Sequence, residues 1–136
     1  MADKTFNLQI ISPTRVFFDG DAEMVEMKTT EGEIGVLAGH IPLTAILTPG
    51  ILRIKQPDGK KEAALHDGFV KITKSKVTIL AESCEWPEEI DVNRAQEARQ
   101  RAERRLKSGE KSVDMIRAEL ALKKALIRID IAGRSR

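Results

Sequence analysis

The spacing of apolar residues changes once along this chain, near residue 87, and that change divides what it can fold into. Before it, apolar residues recur at every second position, the period of a strand with one buried face. Phe6, Leu8 and Ile10 alternate with Asn7 and Gln9, Val25, Met27 and Thr29 with Glu26 and Lys28, and Leu52 and Ile54 with Arg53 and Lys55. Val70 and Ile72 continue the pattern, which resumes at Val77 and Ile79 after Lys74-Ser75-Lys76. Gln56-Pro57-Asp58-Gly59 is a turn with a mechanism, because proline presets φ at its second position and glycine is favoured at its fourth. Short strands in series predict a β-sandwich, or flattened barrel, over residues 1–86.

From Asp91 onward the period is helical. Ala95, Ala98, Ala102 and Leu106 form one stripe, and after Ser108-Gly109 a second runs through Met115, Ala118, Leu122, Ala125, Ile129 and Ala132. The break predicts two helices joined as an antiparallel hairpin over residues 87–136. Alanine stripes bury little apolar area, so the hairpin is expected to be marginal. Gly109 costs about 1 kcal/mol relative to alanine in a helix, little enough for a partner to straighten the break. The resulting rod would be on the order of 65 Å long. The expected class is therefore α+β, an antiparallel β-sandwich followed by a two-helix hairpin able to extend.

Charge and punctuation follow the same division. Residues 1–86 carry a net charge of −2 with seven of the nine glycines, and residues 87–136 carry +4. The whole chain, at 136 residues and net +2, suits one ordinary domain or a small domain with an appendage. Its longest apolar runs are a few residues, where a membrane span needs roughly 20, so a soluble protein is expected. Met1-Ala2-Asp3-Lys4 runs directly into the alternating segment with no leader pattern, and the expectation is a protein that is not exported. A lone cysteine, Cys84, allows no internal disulfide and suits a reducing compartment.

Few residues are placed for chemistry. Asp91 stands where the helical period begins, and two readings apply: an N-cap accepting from free N–H groups of the first turn, or a ligand contact. Arg94, Arg101 and Arg105 are separated by seven and four, which places them along one side of the first helix; Arg117, Lys124 and Arg128 repeat that spacing on the second. The two rows could face one groove and take a polyanion, since guanidinium forks match phosphate oxygens. The alternative is a solvated face laced by Glu97–Arg101, Glu103–Lys107 and Glu119–Lys123 pairs, with Asp114 also near. Aromatic residues are 4% of the chain and only Trp86 borders the helical half, so nucleic-acid stacking platforms are absent. Glu31-Gly32-Glu33-Ile34-Gly35-Val36 lacks the lysine and hydroxyl of a P-loop, and its glycines read as tight strand connections. His40 and His66 have no metal-ligand partners at useful spacing, and Cys84 reads as a packed side chain. With no nucleophile, general-base pair or metal cluster, the chain is expected not to be an enzyme.

The stretch Gly32-Glu33-Ile34-Gly35-Val36-Leu37-Ala38-Gly39-His40-Ile41-Pro42-Leu43, with Leu47-Thr48-Pro49-Gly50 and Asp67-Gly68-Phe69-Val70, resembles the epsilon subunit of bacterial and chloroplast F-type ATP synthases. Ile90, Asp91, Arg94 and Ala95 also match the family's ATP-binding signature, Ile/Leu-Asp-x-x-Arg-Ala. The resemblance implies a non-catalytic subunit of the central rotor stalk on the cytoplasmic face of the cell membrane, held there only through its complex. Residues 1–86 would bind the gamma subunit and the c ring, with Glu31 and His40 among the implied contacts. Residues 87–136 would regulate. Extended, they would meet the alpha and beta subunits and inhibit ATP hydrolysis, with Arg105 and Arg117 implied in those contacts. Folded, they would hold ATP, with magnesium a possible companion, through Ile90, Asp91, Arg94, Ala95, Arg101, Lys124, Arg128 and Glu85. Lys124 stands where well-matched ATP binders carry arginine, keeping the charge and losing the planar fork. A rotor subunit whose inhibition is independent of ATP, and a free-standing ATP sensor, are the alternatives.

Overall fold

A computed structural model describes residues 5–108 and 113–134. The chain divides into two compact units, Met1–Glu85 and Trp86–Arg136.

The first unit is built from eight strands: β1 (Phe6–Ser12), β2 (Arg15–Ala22), β3 (Met24–Thr29), β4 (Gly32–Leu37), β5 (Leu43–Leu47), β6 (Gly50–Gln56), β7 (Gly59–Ile72) and β8 (Lys76–Glu85). They pair in the order β2-β1-β8-β7-β5-β3-β4, with β6 bonded to both β3 and β7. All pairings are antiparallel except β1 with β8, where the first and last strands run parallel, Leu8 opposite Val77 and Ile10 opposite Ile79. Every residue of the predicted period-two sets is buried. The Gln56–Gly59 turn closes the β6–β7 hairpin, with Gln56 opposite Gly59.

β7 is long because it serves two neighbours. Its first half pairs with β6 up to Leu65, and its second half pairs with β5 from Gly68. The change of partner falls at Asp67 and Gly68, whose φ values of 50° and 147° lie in the region that favours glycine. A Cβ on Gly68 would overlap the carbonyl oxygen of Leu80 and the Cα of Ala81, so the close approach of β8 also demands glycine here.

The glycines of the Glu31–Val36 stretch divide between two uses, which corrects their reading as connections alone. Gly32, with φ of 120°, leaves the turn after Thr29, and Gly35 lies inside β4 opposite Glu26. The turn is held by Thr29, whose hydroxyl donates to the Gly32 carbonyl at 2.7 Å and accepts from the Glu31 amide at 3.1 Å.

The second unit opens with a single 3-10 turn, Pro87–Glu89, followed by α1 (Val92–Lys107) and α2 (Val113–Arg134). The two helices pack on each other, and α2 also packs on the 3-10 turn that precedes α1. Such a short connection, together with the return of α2 to the start of α1, makes the pair antiparallel. Ala95 and Ala102 on α1 and Ala118, Ala125 and Ala132 on α2 are buried, as the stripes predict. Ile131 lies off the predicted stripe and is also buried, so the last turns of α2 cover a wider arc. Gly109, the expected break, lies outside the described residues, as does the side chain of Asp114.

Candidate functional site

At the entry to α1 the capping reading of Asp91 is realised. Its Oδ1 accepts from the Arg94 amide at 3.1 Å, and its backbone is extended, as an N-cap requires. Asp91 and Arg94 are exposed, whereas Ile90 and Ala95 are buried. The signature residues thus divide into an outer buried pair that anchors the helix start and an inner exposed pair that carries charge.

The cations of the hairpin stand in a fixed relation to its seam. Arg94-Ala95, Arg101-Ala102, Arg117-Ala118 and Lys124-Ala125 each place a cation one position before a buried alanine. One residue is about 100° of rotation, so on both helices the cationic row trails the seam in the same sense. Reversing one helix against the other then carries both rows to the same side of the seam. In an antiparallel pair, Arg105 and Arg117 fall at the end nearest the connection, and Arg94 and Arg128 at the opposite end. Arg94, Arg101, Arg105 and Arg117 are exposed, and Lys124 and Arg128 are half-buried.

The helix-face ion pairs differ from those the spacing predicts. Glu103 pairs with Arg99 at 3.5 Å rather than with Lys107, and Arg134 pairs with Asp130 at 3.0 Å. Glu103 has a cation one turn away on either side, and the guanidinium fork takes it. Among the described residues Arg94, Arg101, Arg105 and Arg117 have no carboxylate partner. Four like charges on one side of a hairpin therefore face solvent without a paired carboxylate among the described residues, a surface suited to an anion.

Glu85 belongs to the first unit, while the other implied ATP contacts belong to the second. Its Oε1 lies 3.0 Å from Nε2 of His66. Glu31 and His40 are not neighbours either: they flank opposite ends of β4, a strand of six residues or about 20 Å. Glu31 is exposed, and His40 is half-buried with Nδ1 2.7 Å from the Ile41 carbonyl oxygen.

One surface was not anticipated. Ile46 of β5 lies opposite Phe69 of β7, Phe69 opposite Leu80 of β8, Leu80 opposite Ile11 of β1, and Ile11 opposite Val16 of β2. The result is a row of five apolar side chains across five strands, on the face turned away from the core. Ile46 is 64% exposed, Val16 57%, Phe69 43% and Leu80 38%. Directly opposed residues on one face lie within side-chain reach, so the row is continuous. Continuous exposed apolar surface marks a place where another molecule sits. Its signal was present as doublets, Ile10-Ile11, Val16-Phe17, Ile46-Leu47, Phe69-Val70 and Ile79-Leu80, each supplying one residue to the core and one to the outer face.

Two family models match the chain. The ATP synthase delta/epsilon chain β-sandwich domain matches residues 5–87, and the ATP synthase delta/epsilon chain long α-helix domain matches residues 88–133. The ATP synthase epsilon chain of Caldanaerobacter subterraneus subsp. tengcongensis is 47% identical over 133 residues, covering 97% of this chain and 96% of that one. The epsilon chain of Halalkalibacterium halodurans is 44% identical over 131 residues, covering 96% and 98%. Among solved structures, a chain of the Euglena gracilis mitochondrial ATP synthase (OSCP/F1/c-ring) superposes with a TM-score of 0.83 at 26% identity, covering 96% of this chain and 82% of that one. A chain of the Tetrahymena thermophila central stalk and c-ring shares the fold at a TM-score of 0.59 and 15% identity, covering 96% and 95%.

Proposed function

This chain belongs to the ATP synthase delta/epsilon family, and on that premise we propose that it is a non-catalytic central-stalk subunit with a docking unit and a regulatory unit. The observation that carries the docking half is the apolar row from Ile46 to Val16. In this reading the row seats the gamma subunit, and the polar turn at Glu31 meets the c ring. No helix among the described residues is long and apolar enough to cross a membrane, so the chain reaches the cytoplasmic membrane face through these partners.

The regulatory half rests on the cationic face of the hairpin. Folded, the helices hold ATP, with Arg94, Arg101, Lys124 and Arg128 on its phosphates and Asp91 at the start of α1. Ile90 and Ala95 support that start from the buried side, and Glu85 stands as a further contact by family resemblance. Magnesium accompanies the phosphates if the nucleotide brings it. Extended, the same helices inhibit ATP hydrolysis, with Arg105 and Arg117 meeting acidic segments of the alpha and beta subunits. A ligand that binds only the folded form stabilises it by RT ln(1 + [L]/Kd), about 2.7 kcal/mol at a hundredfold excess. A seam made largely of alanine is weak enough for that to decide the balance.

ATP titration of the full chain by calorimetry, with GTP as control and Arg94→Ala as comparison, tests the regulatory half. Saturable ATP-selective binding that is lost in the variant is the expected result. Equal affinity in wild type and variant would remove the cationic face from the nucleotide site.

A further inference from the structure

We propose that the cationic face of the hairpin also binds linear inorganic polyphosphate, an anion longer than the triphosphate of a nucleotide. The inference shares a surface with the nucleotide reading but rests on Arg105 and Arg117, which take no part in holding ATP and which that reading engages only when the helices extend. From Arg94 to Arg105 the row runs about 16 Å along the helix axis. Three phosphoryl groups joined by two bridging oxygens cover less than half of that length, so a triphosphate bound near Arg94 stops short of the end nearest the connection.

The chemistry of the face favours a chain of phosphates over other long anions. Arg94, Arg101, Arg105 and Arg117 are exposed and, among the described residues, have no carboxylate partner. Each guanidinium can take two oxygens of one phosphoryl group, and a polyphosphate presents such oxygens at every repeat. Both rows lie on the same side of the alanine seam, so one chain laid along it meets cations from both helices. Residues 87–136 contain no aromatic side chain on which a base could stack, so a single-stranded nucleic acid finds no stacking platform along this face and a chain of bare phosphates is the better fit.

Calorimetry on the full chain tests this with ATP, tripolyphosphate and medium-chain linear polyphosphate as probes, in wild type and in the double variant Arg105→Ala/Arg117→Ala. Both positions are exposed and alanine is the best helix former, so the variant keeps its fold. Wild type is expected to bind the long chain at least about tenfold more tightly than tripolyphosphate, the gain of one or two charge-assisted bonds. In the double variant that advantage collapses while ATP affinity is retained. The long chain offers the same number of binding registers to both proteins, so the comparison removes that statistical gain. A long chain bound no better than tripolyphosphate, or an advantage that survives in the variant, overturns the proposal and leaves the nucleotide reading standing. Absence of ATP binding with length-dependent polyphosphate binding overturns the nucleotide reading alone. Displacement of polyphosphate by polyaspartate at equal charge concentration would assign the face to an acidic protein segment and overturn the proposal.

Discussion

Nε2 of His66 lies 3.0 Å from Oε1 of Glu85, joining a ring that is 1% exposed to the last residue of β8. An ionised carboxylate only accepts, so Nε2 carries the proton, and Nδ1 has no hydrogen-bond partner. Glu85→Ala leaves that buried N–H unpaired and is expected to cost about 1–3 kcal/mol, whereas Glu85→Gln keeps an acceptor and costs less than about 1 kcal/mol. Urea denaturation of the two variants checks this. Equal losses would show that the pair contributes nothing specific.

Asp91 is both the N-cap of α1 and an implied nucleotide contact, and two substitutions separate the roles. Asp91→Ala removes the bond to the Arg94 amide and is expected to cost the helical unit about 1 kcal/mol. Asp91→Asn retains a capping oxygen and should leave helix stability nearly unchanged. If ATP affinity falls in Asp91→Asn while the circular-dichroism melt does not move, the carboxylate charge itself faces the ligand. An unchanged affinity would confine Asp91 to capping.

Gly68 combines positive φ with a backbone approach that has no room for a methyl group. Gly68→Ala is expected to lower the stability of the first unit by more than about 1 kcal/mol, since strain and overpacking act together. Gly32→Ala, at a positive φ but in open space, should cost less. Paired chemical denaturation curves decide it, and the reverse order would place the constraint in the turn rather than at the β7–β8 approach.

Phe69→Asp and Ile46→Asp place a charge in the centre of the exposed apolar row. Each change loses a cross-strand apolar contact and strand propensity, about 1–2 kcal/mol in all, so the melting curve is expected to shift modestly with the sheet still folded. Co-purification with the gamma subunit is expected to fail, because an unpaired carboxylate would be buried on docking. Retention of both charged variants in the complex would move the interface off this face.

The buried faces of β1, β3, β6, β8 and the second half of β7 were legible because one period of two is enough to find them: Leu8, Ile10, Val25 and Met27 were all assigned to a buried face from alternation alone. The outer row was not, because Ile11, Val16, Ile46, Phe69 and Leu80 each sit beside a core residue and blur the alternation that identifies strands. β5 is only five residues long, and its Ile46-Leu47 doublet reads equally well as a buried loop. In the helices, the alanine stripes placed the seam and the cationic rows, since both follow from a fixed rotation per residue. Which ion pairs form did not follow, because Glu103 has cations at both i−4 and i+4 and the spacing treats them alike. The engagement of Glu85 by His66 was also invisible, as it depends on the β7–β8 register rather than on any local motif.

The parallel pairing of β1 with β8 has a consequence for how the protein comes into being. The opening strand waits through almost the whole of the first unit for its second neighbour, so a nascent chain on the ribosome cannot finish this sheet piecemeal. Long-range closure of that kind is slow relative to helix formation. Once Leu80 has found Ile11, however, every strand of the first unit has its neighbours, and residues 86 onward form their helices through contacts of their own, with no strand left to wait for.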